Sequence, residues 1–247
     1  MKFTILRFDS LESTNVEALN QARKGADEGL CIVANQQTAG RGRLGRTWVS
    51  EKDSGLYFSL VLRPQIEMRF LPLITLMSAV AVFETLKTLD LNPDIKWVND
   101  IHIGGKKICG ILSETAETSK GLAVIVGIGI NLKSSNFPPE IADIATSIET
   151  ETGKSPDKNY ILENLTQFLQ TYYTILQSEN GAEKIRQEWT KRSSYAFGKP
   201  VRVKLENETI FGVTDGIKEN GALCVELSDG KIRVINAGDV ENLRSQS

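Results

Sequence analysis

From Phe3 to Phe8 apolar and polar positions alternate, which predicts a first strand. The next patterned segment, Val16 to Lys24, follows Thr14 with Glu17 three residues on and closes at Gly25. That is a capping box and a C′ glycine, hence a helix. Leu30–Ala34 and Leu56–Leu62 are continuous apolar runs of strand length. Between Phe70 and Leu89, Leu73, Met77, Val80, Phe83 and Leu86 recur at helical spacing, with Pro72 in the first turn, and predict a core helix. Ile95 to Asp100 leads into the alternating run Ile101 to Glu114, where Gly104-Gly105 marks a two-residue hairpin. Leu122 to Ile130 reads as a central strand whose Gly127 and Gly129 would let a ligand lie against the backbone. After the polar stretch Ser134 to Pro156, helical spacing returns from Ile161 to Leu176 and more briefly from Ile185 to Trp189. Beyond Lys199 the runs are short and β-like: Val201–Leu205, Ile210–Thr214, Leu223–Leu227 and Ile232–Ile235, with turns at Asn220-Gly221 and Asp229-Gly230. Such spacing predicts a small β-barrel. The expected organisation is an α/β (α+β) domain over residues 1–194 and a barrel over 195–247.

Composition adds bounds. With 247 residues, 40% of them hydrophobic, the chain can bury a sizeable core. A net charge of −2 argues against a general polyanion binder. Cys31, Cys109 and Cys224 are odd in number and lie in apolar runs, so they read as buried small hydrophobes in a reducing compartment. Arg7 and Asp9 interrupt any secretory core, and the longest apolar run, Leu122 to Leu132, is too short to span a bilayer. The expected location is the cytoplasm, away from membranes.

Charge is placed locally. Gln37 to Trp48 holds Gly40, Gly42, Gly45, Arg41, Arg43, Arg46 and Trp48, and no acid occurs from Gly29 to Ser50. Glycine lets backbone approach a ligand closely, arginine grips carboxylate or phosphate oxygens with paired hydrogen bonds, and tryptophan offers a ring face. The segment therefore points to anionic ligands, a nucleotide and a carboxylic acid. The plainer readings are a solvated loop or a weak nucleic-acid contact, and neither of the common nucleotide-binding glycine motifs is present. Ser13-Thr14-Asn15 sits where a helix begins: either a cap or polar groups facing a ligand. His102, the single histidine, reads as a strand surface residue, which removes Ser/His/Asp chemistry.

Four segments in order, Gly40 to Trp48, Lys96-Trp97-Val98-Asn99-Asp100, Lys107 to Leu112 and Gly127 to Asn131, together resemble the biotin protein ligase family. Val98 stands where that family usually has proline, and Ser50-Glu51 where it has Ser-Pro. The resemblance implies a mixed sheet flanked by helices, related to class II aminoacyl-tRNA synthetase catalytic domains, with an SH3-like barrel appended. It implies ATP-dependent activation of biotin as biotinyl-5′-adenylate, then transfer to a lysine of a biotin carboxyl carrier protein or domain. Residue by residue, it assigns biotin to Ser13, Thr14, Asn15, Gln37, Gly40, Arg41, Gly42, Arg43, Lys107 and Gly110. It assigns the nucleotide to Arg46, Trp48, Asn99 and Asn131. Arg43 and Lys107 are the expected catalytic cations, and Asp100 the carboxylate for Mg²⁺. A homodimer is left open. Because a strand begins at Phe3, no N-terminal DNA-binding domain is expected. Lipoate ligases and octanoyl transferases are the alternative within the fold, expected to have an apolar slot in place of Ser13 and Gln37. A non-enzymatic RNA-binding module is the alternative outside it.

Overall fold

The computed structural model describes residues 1–133 and 137–242. Residues 134–136, at the head of the polar stretch, and 243–247, at the end of the barrel region, lie outside the described residues. Strands β1 (Thr4–Leu11), β2 (Leu30–Gln37), β3 (Gly55–Leu62), β4 (Asp94–Lys96), β5 (Asp100–Ile103), β6 (Lys106–Thr118) and β7 (Gly121–Asn131) form one mixed sheet in the order β1-β2-β3-β7-β6-β5-β4. β1 and β2 are parallel and joined through helix α1 (Thr14–Arg23), and the remaining pairs are antiparallel. The β5–β6 hairpin turns on Gly104 and Gly105, both at positive φ, as the sequence pattern requires.

Alternation along the central strands explains why both faces are covered. Val61, Ala123 and Ile125 pack with Ala18 and Ala22 of α1 on one face. Leu60, Leu62, Val124 and Val126 point the other way, into a larger core with α2 (Leu73–Lys87), α5 (Lys158–Leu176) and α6 (Gly181–Arg192). Between them in the chain lie the short helices α3 (Pro139–Ala142) and α4 (Ile148–Thr152). All three cysteines are buried and free.

A second, five-stranded sheet has the order β11-β10-β9-β8-β12, from β8 (Phe197–Lys204), β9 (Thr209–Ile217), β10 (Leu223–Glu226), β11 (Ile232–Ile235) and β12 (Asp239–Asn242). It is tied to the first where the Trp97 indole N–H donates to the carbonyl of Gly221, between β9 and β10, at 3.0 Å.

Three sequence expectations change. The helix cap is Ser13, not Thr14, and its side chain makes no cap bond. Glu17 instead accepts from Gln21 one turn on, because Thr14 is drawn into the site. The polar stretch contains α4, capped by Ser147, whose Oγ accepts from the Thr150 N–H. β12 escapes the pattern because Asp239-Val240-Glu241-Asn242 has a single apolar residue, yet it pairs along β8.

Candidate active site

The β2–β3 connection carries the Arg/Gly segment over β6 and β7, where Trp48 meets Gly110 and Gly129 and Arg41 meets Glu114. It is pinned at its base by the Trp48 N–H on the Gly40 carbonyl, 2.9 Å, and by the Gly42 N–H on the Arg46 carbonyl, 2.7 Å. Beneath it are two adjoining cavities. The narrow one, about 130 Å³, is lined by Ser13, Thr14, Asn15, Gln37, Arg43 and Gly110 among others. The wider one, about 870 Å³, is lined by Trp48, Asn131, Lys96, His102, Phe137 and Ile144 among others. Arg46, Trp48, Asp100, Lys107 and Asp239 line both. The sequence-assigned residues thus converge, with Gly40 buried just behind the narrow cavity.

The polar end of the narrow cavity is a connected network. The Thr14 N–H donates to Gln37 Oε1 at 2.8 Å and the Gln37 amide donates to Ser50 Oγ at 2.8 Å. Ser59 Oγ lies 2.6 Å from Asn15 Oδ1 and 2.8 Å from Thr14 Oγ1. Asn15 is spent on the protein: its amide donates to the Leu112 carbonyl and to Glu114. Ser13 Oγ, by contrast, has no protein partner among the described residues.

The glycines of β7 line the narrow cavity and also leave room for side chains packed on the strand. A Cβ on Gly127 would lie 2.1 Å from Asn15 Oδ1, and one on Gly129 would lie 2.5 Å from the Trp48 indole. Trp48 therefore lies flat on the strand, its indole N–H buried and without a partner.

Charge is distributed unevenly. Lys107 Nζ sits 2.6 Å from Asp100 Oδ1 and 5.4 Å from the Trp48 ring centre. Arg41 pairs with Glu114 at 2.7 Å, and Arg46 pairs with Asp239 of β12. That carboxylate raises the Arg46 pKa. Two of the three arginines are therefore neutralised by acids from outside the segment. Arg43 differs. Its guanidinium has no acid partner among the described residues and donates to neutral oxygens, Asn99 Oδ1 at 3.1 Å and the Gly238 carbonyl at 3.4 Å. Burial depresses its pKa, while Asp100 and Asp239 act in the opposite sense. Asn99 lines the narrow cavity, holds Arg43 through its Oδ1 and donates to the Ile111 carbonyl. Asn131 donates to the Thr146 carbonyl at 3.0 Å, and Lys107 is strapped through its backbone to Ile144 and Thr146.

His102 is on β5 as expected but is not a surface residue. Its Nε2 is buried without a partner, and burial, then the Lys96 charge, push its pKa down to about 4. Sequence reasoning missed Glu114, Gly238, Asp239, Phe137 and Ile144. Asp239 and Gly238 had a signal, an Ala-Gly-Asp turn after an apolar run, and the others had none.

A helix-flanked mixed sheet thus carries two adjoining cavities whose common wall holds Lys107 and Arg46, each paired with a carboxylate. A family model described as the Biotin/lipoate A/B protein ligase family matches residues 7–131, and one described as Biotin protein ligase C terminal domain matches residues 196–241. The chain belongs to the biotin protein ligase family. It is 38% identical to a "Bifunctional ligase/repressor BirA" of Bacillus spizizenii, over 94% of this chain and 72% of that protein. It is 32% identical to a "Biotin--[acetyl-CoA-carboxylase] ligase" of Mycobacterium tuberculosis, over 94% of this chain and 86% of that one. A solved biotin protein ligase from Aquifex aeolicus in complex with biotin and ATP matches with a TM-score of 0.84 and 29% identity, over 99% of this chain and 100% of that one. Among the described residues no helix is long and apolar enough to cross a membrane.

Proposed function

We propose that the protein is an ATP-dependent ligase that activates biotin as biotinyl-5′-adenylate and transfers it to a lysine of a biotin carboxyl carrier protein or domain. The observation that carries this reading is the position of Lys107, in the wall common to the narrow and the wide cavity, with Arg43 lining the narrow one. Biotin fills the narrow cavity, its ureido ring against Ser13, Thr14 and Gln37, and ATP fills the wide one, with its base beside Trp48.

The first step joins two anions. A carboxylate oxygen of biotin attacks the α-phosphorus, the bond to the bridging oxygen breaks, and pyrophosphate leaves with that electron pair. Two unit charges about 4 Å apart repel by about 4 kcal/mol at an effective dielectric constant of about 20. Lys107 and Arg43 offset that repulsion and gain most when negative charge builds up on the phosphorus oxygens. Arg43 stays protonated even with its pKa depressed, because free arginine starts so high. In the second step the neutral amine of the carrier lysine attacks the acyl carbonyl. AMP departs with the electrons of the acyl–phosphate bond and the amine loses its proton.

The residues present fit a magnesium ion carried on the phosphates. Asp100 and Asp239 both line the wide cavity. Among the described residues no cluster of three or more His, Cys, Asp or Glu forms a cage. An ion that keeps water and phosphate oxygens as most of its ligands needs no more than these carboxylates. Bound there, it would neutralise phosphate charge. We read the seven-stranded sheet as class II synthetase-like and the five-stranded sheet as an SH3-like barrel. We assign the chain no DNA-binding role, on its net charge of −2. Salt-dependent, sequence-specific DNA binding would count against that assignment.

The test is ATP–pyrophosphate exchange. Stimulation by biotin and not by lipoate or octanoate is expected, and equal stimulation by lipoate would sink the biotin reading.

A further inference from the structure

Glu114 lies on β6, opposite Ile125 of β7, and its side chain is 28% exposed. Its Oε2 accepts from Asn15 Nδ2 at 2.8 Å and from the Arg41 guanidinium at 2.7 Å. Its Oε1 accepts from the same guanidinium nitrogen at 2.9 Å. One carboxylate therefore ties the first turn of α1 to the head of the Arg/Gly segment, where Arg41 bridges Thr47.

A carboxylate accepts and does not donate. Asn15, 4% exposed, must therefore turn its NH₂ towards Glu114 and the Leu112 carbonyl, and the reversed amide would set oxygen against two oxygens. With the amide fixed this way, Asn15 Oδ1 is the acceptor for Ser59, whose hydroxyl also adjoins Thr14. The polarity set at Glu114 thus runs through Asn15 and Ser59 to the polar end of the narrow cavity. A cyclic urea, with two N–H donors flanking one carbonyl, is recognised by a wall whose donors and acceptors are fixed in this manner.

We propose that Glu114 is a positioning residue that couples recognition of the ureido ring to closure of the Arg/Gly segment, by orienting Asn15 and anchoring Arg41 on one carboxylate. This rests on the biotin reading. Glu114 touches no reacting atom, so its effect falls on biotin affinity and adenylate retention rather than on the chemical step.

Glu114→Gln keeps the shape and replaces one acceptor by a donor, leaving either Asn15 or Arg41 facing an N–H. In pyrophosphate exchange the biotin KM is expected to rise about tenfold or more, with ATP KM and kcat within about twofold and adenylate dissociating faster. A double-mutant cycle on Arg41→Ala and Glu114→Ala should give non-additive biotin KM values. If Glu114→Gln does not fold, Glu114→Asp keeps the charge but draws the acceptor back from both Asn15 and Arg41, and the same split is expected. A folded variant with unchanged biotin KM, or with biotin and ATP KM raised equally, overturns the coupling while leaving the ligase reading intact. Wild-type protein without biotin-dependent exchange overturns both.

Discussion

Replacing Arg43 by alanine is expected to slow adenylate formation by about 10²–10³-fold while changing folding stability by no more than about 1 kcal/mol in either direction. The two halves have separate origins. On the folding side, the guanidinium is half-buried with two neutral acceptors, one of them at the long distance of 3.4 Å. Each such bond to a charged group is worth about 1.5–3 kcal/mol, and taking the ion out of water costs several kcal/mol, so the terms nearly cancel. Its nearest acids, Asp100 and Asp239, are already paired to Lys107 and Arg46. On the catalytic side, a preorganised cation facing developing negative charge contributes about 2.7–4 kcal/mol to the barrier, which gives the rate ratio. Lys107→Ala should slow the same step but also destabilise the fold, because it leaves the Asp100 carboxylate, 19% exposed, without its cation. The assay is single-turnover adenylate formation at saturating biotin and ATP, paired with thermal denaturation. A rate loss under tenfold in Arg43→Ala refutes the electrostatic role. A Tm drop beyond about 4 °C, the equivalent of about 1 kcal/mol or more in a chain of this size, refutes the near-cancellation.

The elements with long apolar runs were legible in the sequence because burial on both faces writes itself into composition: β2, β3, β7 and α2 fall within a few residues of expectation. The candidate site residues were named through resemblance, and all of them but Gly40 line one of two adjoining cavities. Their geometry was not legible. Asn15 and Asn99 have the residue types of ligand contacts, but sequence cannot say that Leu112 and Glu114 take both N–H groups of Asn15, or that Arg43 and Ile111 hold Asn99. Likewise Gly127 and Gly129 signal that something lies against the strand, without saying whether it is a substrate or the protein's own Asn15 and Trp48. Glu114 and Asp239 are distant in sequence from the arginines they meet, so pairing within the loop's own charge pattern could not reveal them.

Gly129→Ala puts a methyl group 2.5 Å from the Trp48 indole, so ATP KM should rise more than biotin KM, with about 1–3 kcal/mol lost in stability. Wild-type ATP KM would mean Trp48 does not rest there during turnover. His102, with a folded pKa of about 4 against an ordinary 6.5, binds its proton more readily when unfolded. Its contribution is complete above pH 6.5 and is lost as pH falls towards 4, up to about 3 kcal/mol. The Tm of His102→Gln should therefore fall less steeply than wild type between those limits, and parallel curves would refute the assignment. The last expectation concerns Thr38 to Trp48. Mutual repulsion of its arginines would make the whole segment open until an anion arrives. With Arg41 held by Glu114 and Arg46 by Asp239, the base is instead tied on both sides while Leu44, 74% exposed, projects from the tip. Hydrogen exchange in the free protein should therefore find the Gly42 and Trp48 amides protected and the Leu44 amide fast, with biotin and a non-hydrolysable adenylate analogue slowing the tip. Both ties are partly exposed ion pairs, so raising salt from about 0.1 to about 1 M should release Gly42 and Trp48 before any core strand. Uniform protection across the segment without ligand would mean that the site is preformed. Uniformly fast exchange would mean that the ion pairs hold nothing and that substrate charge does all of the ordering.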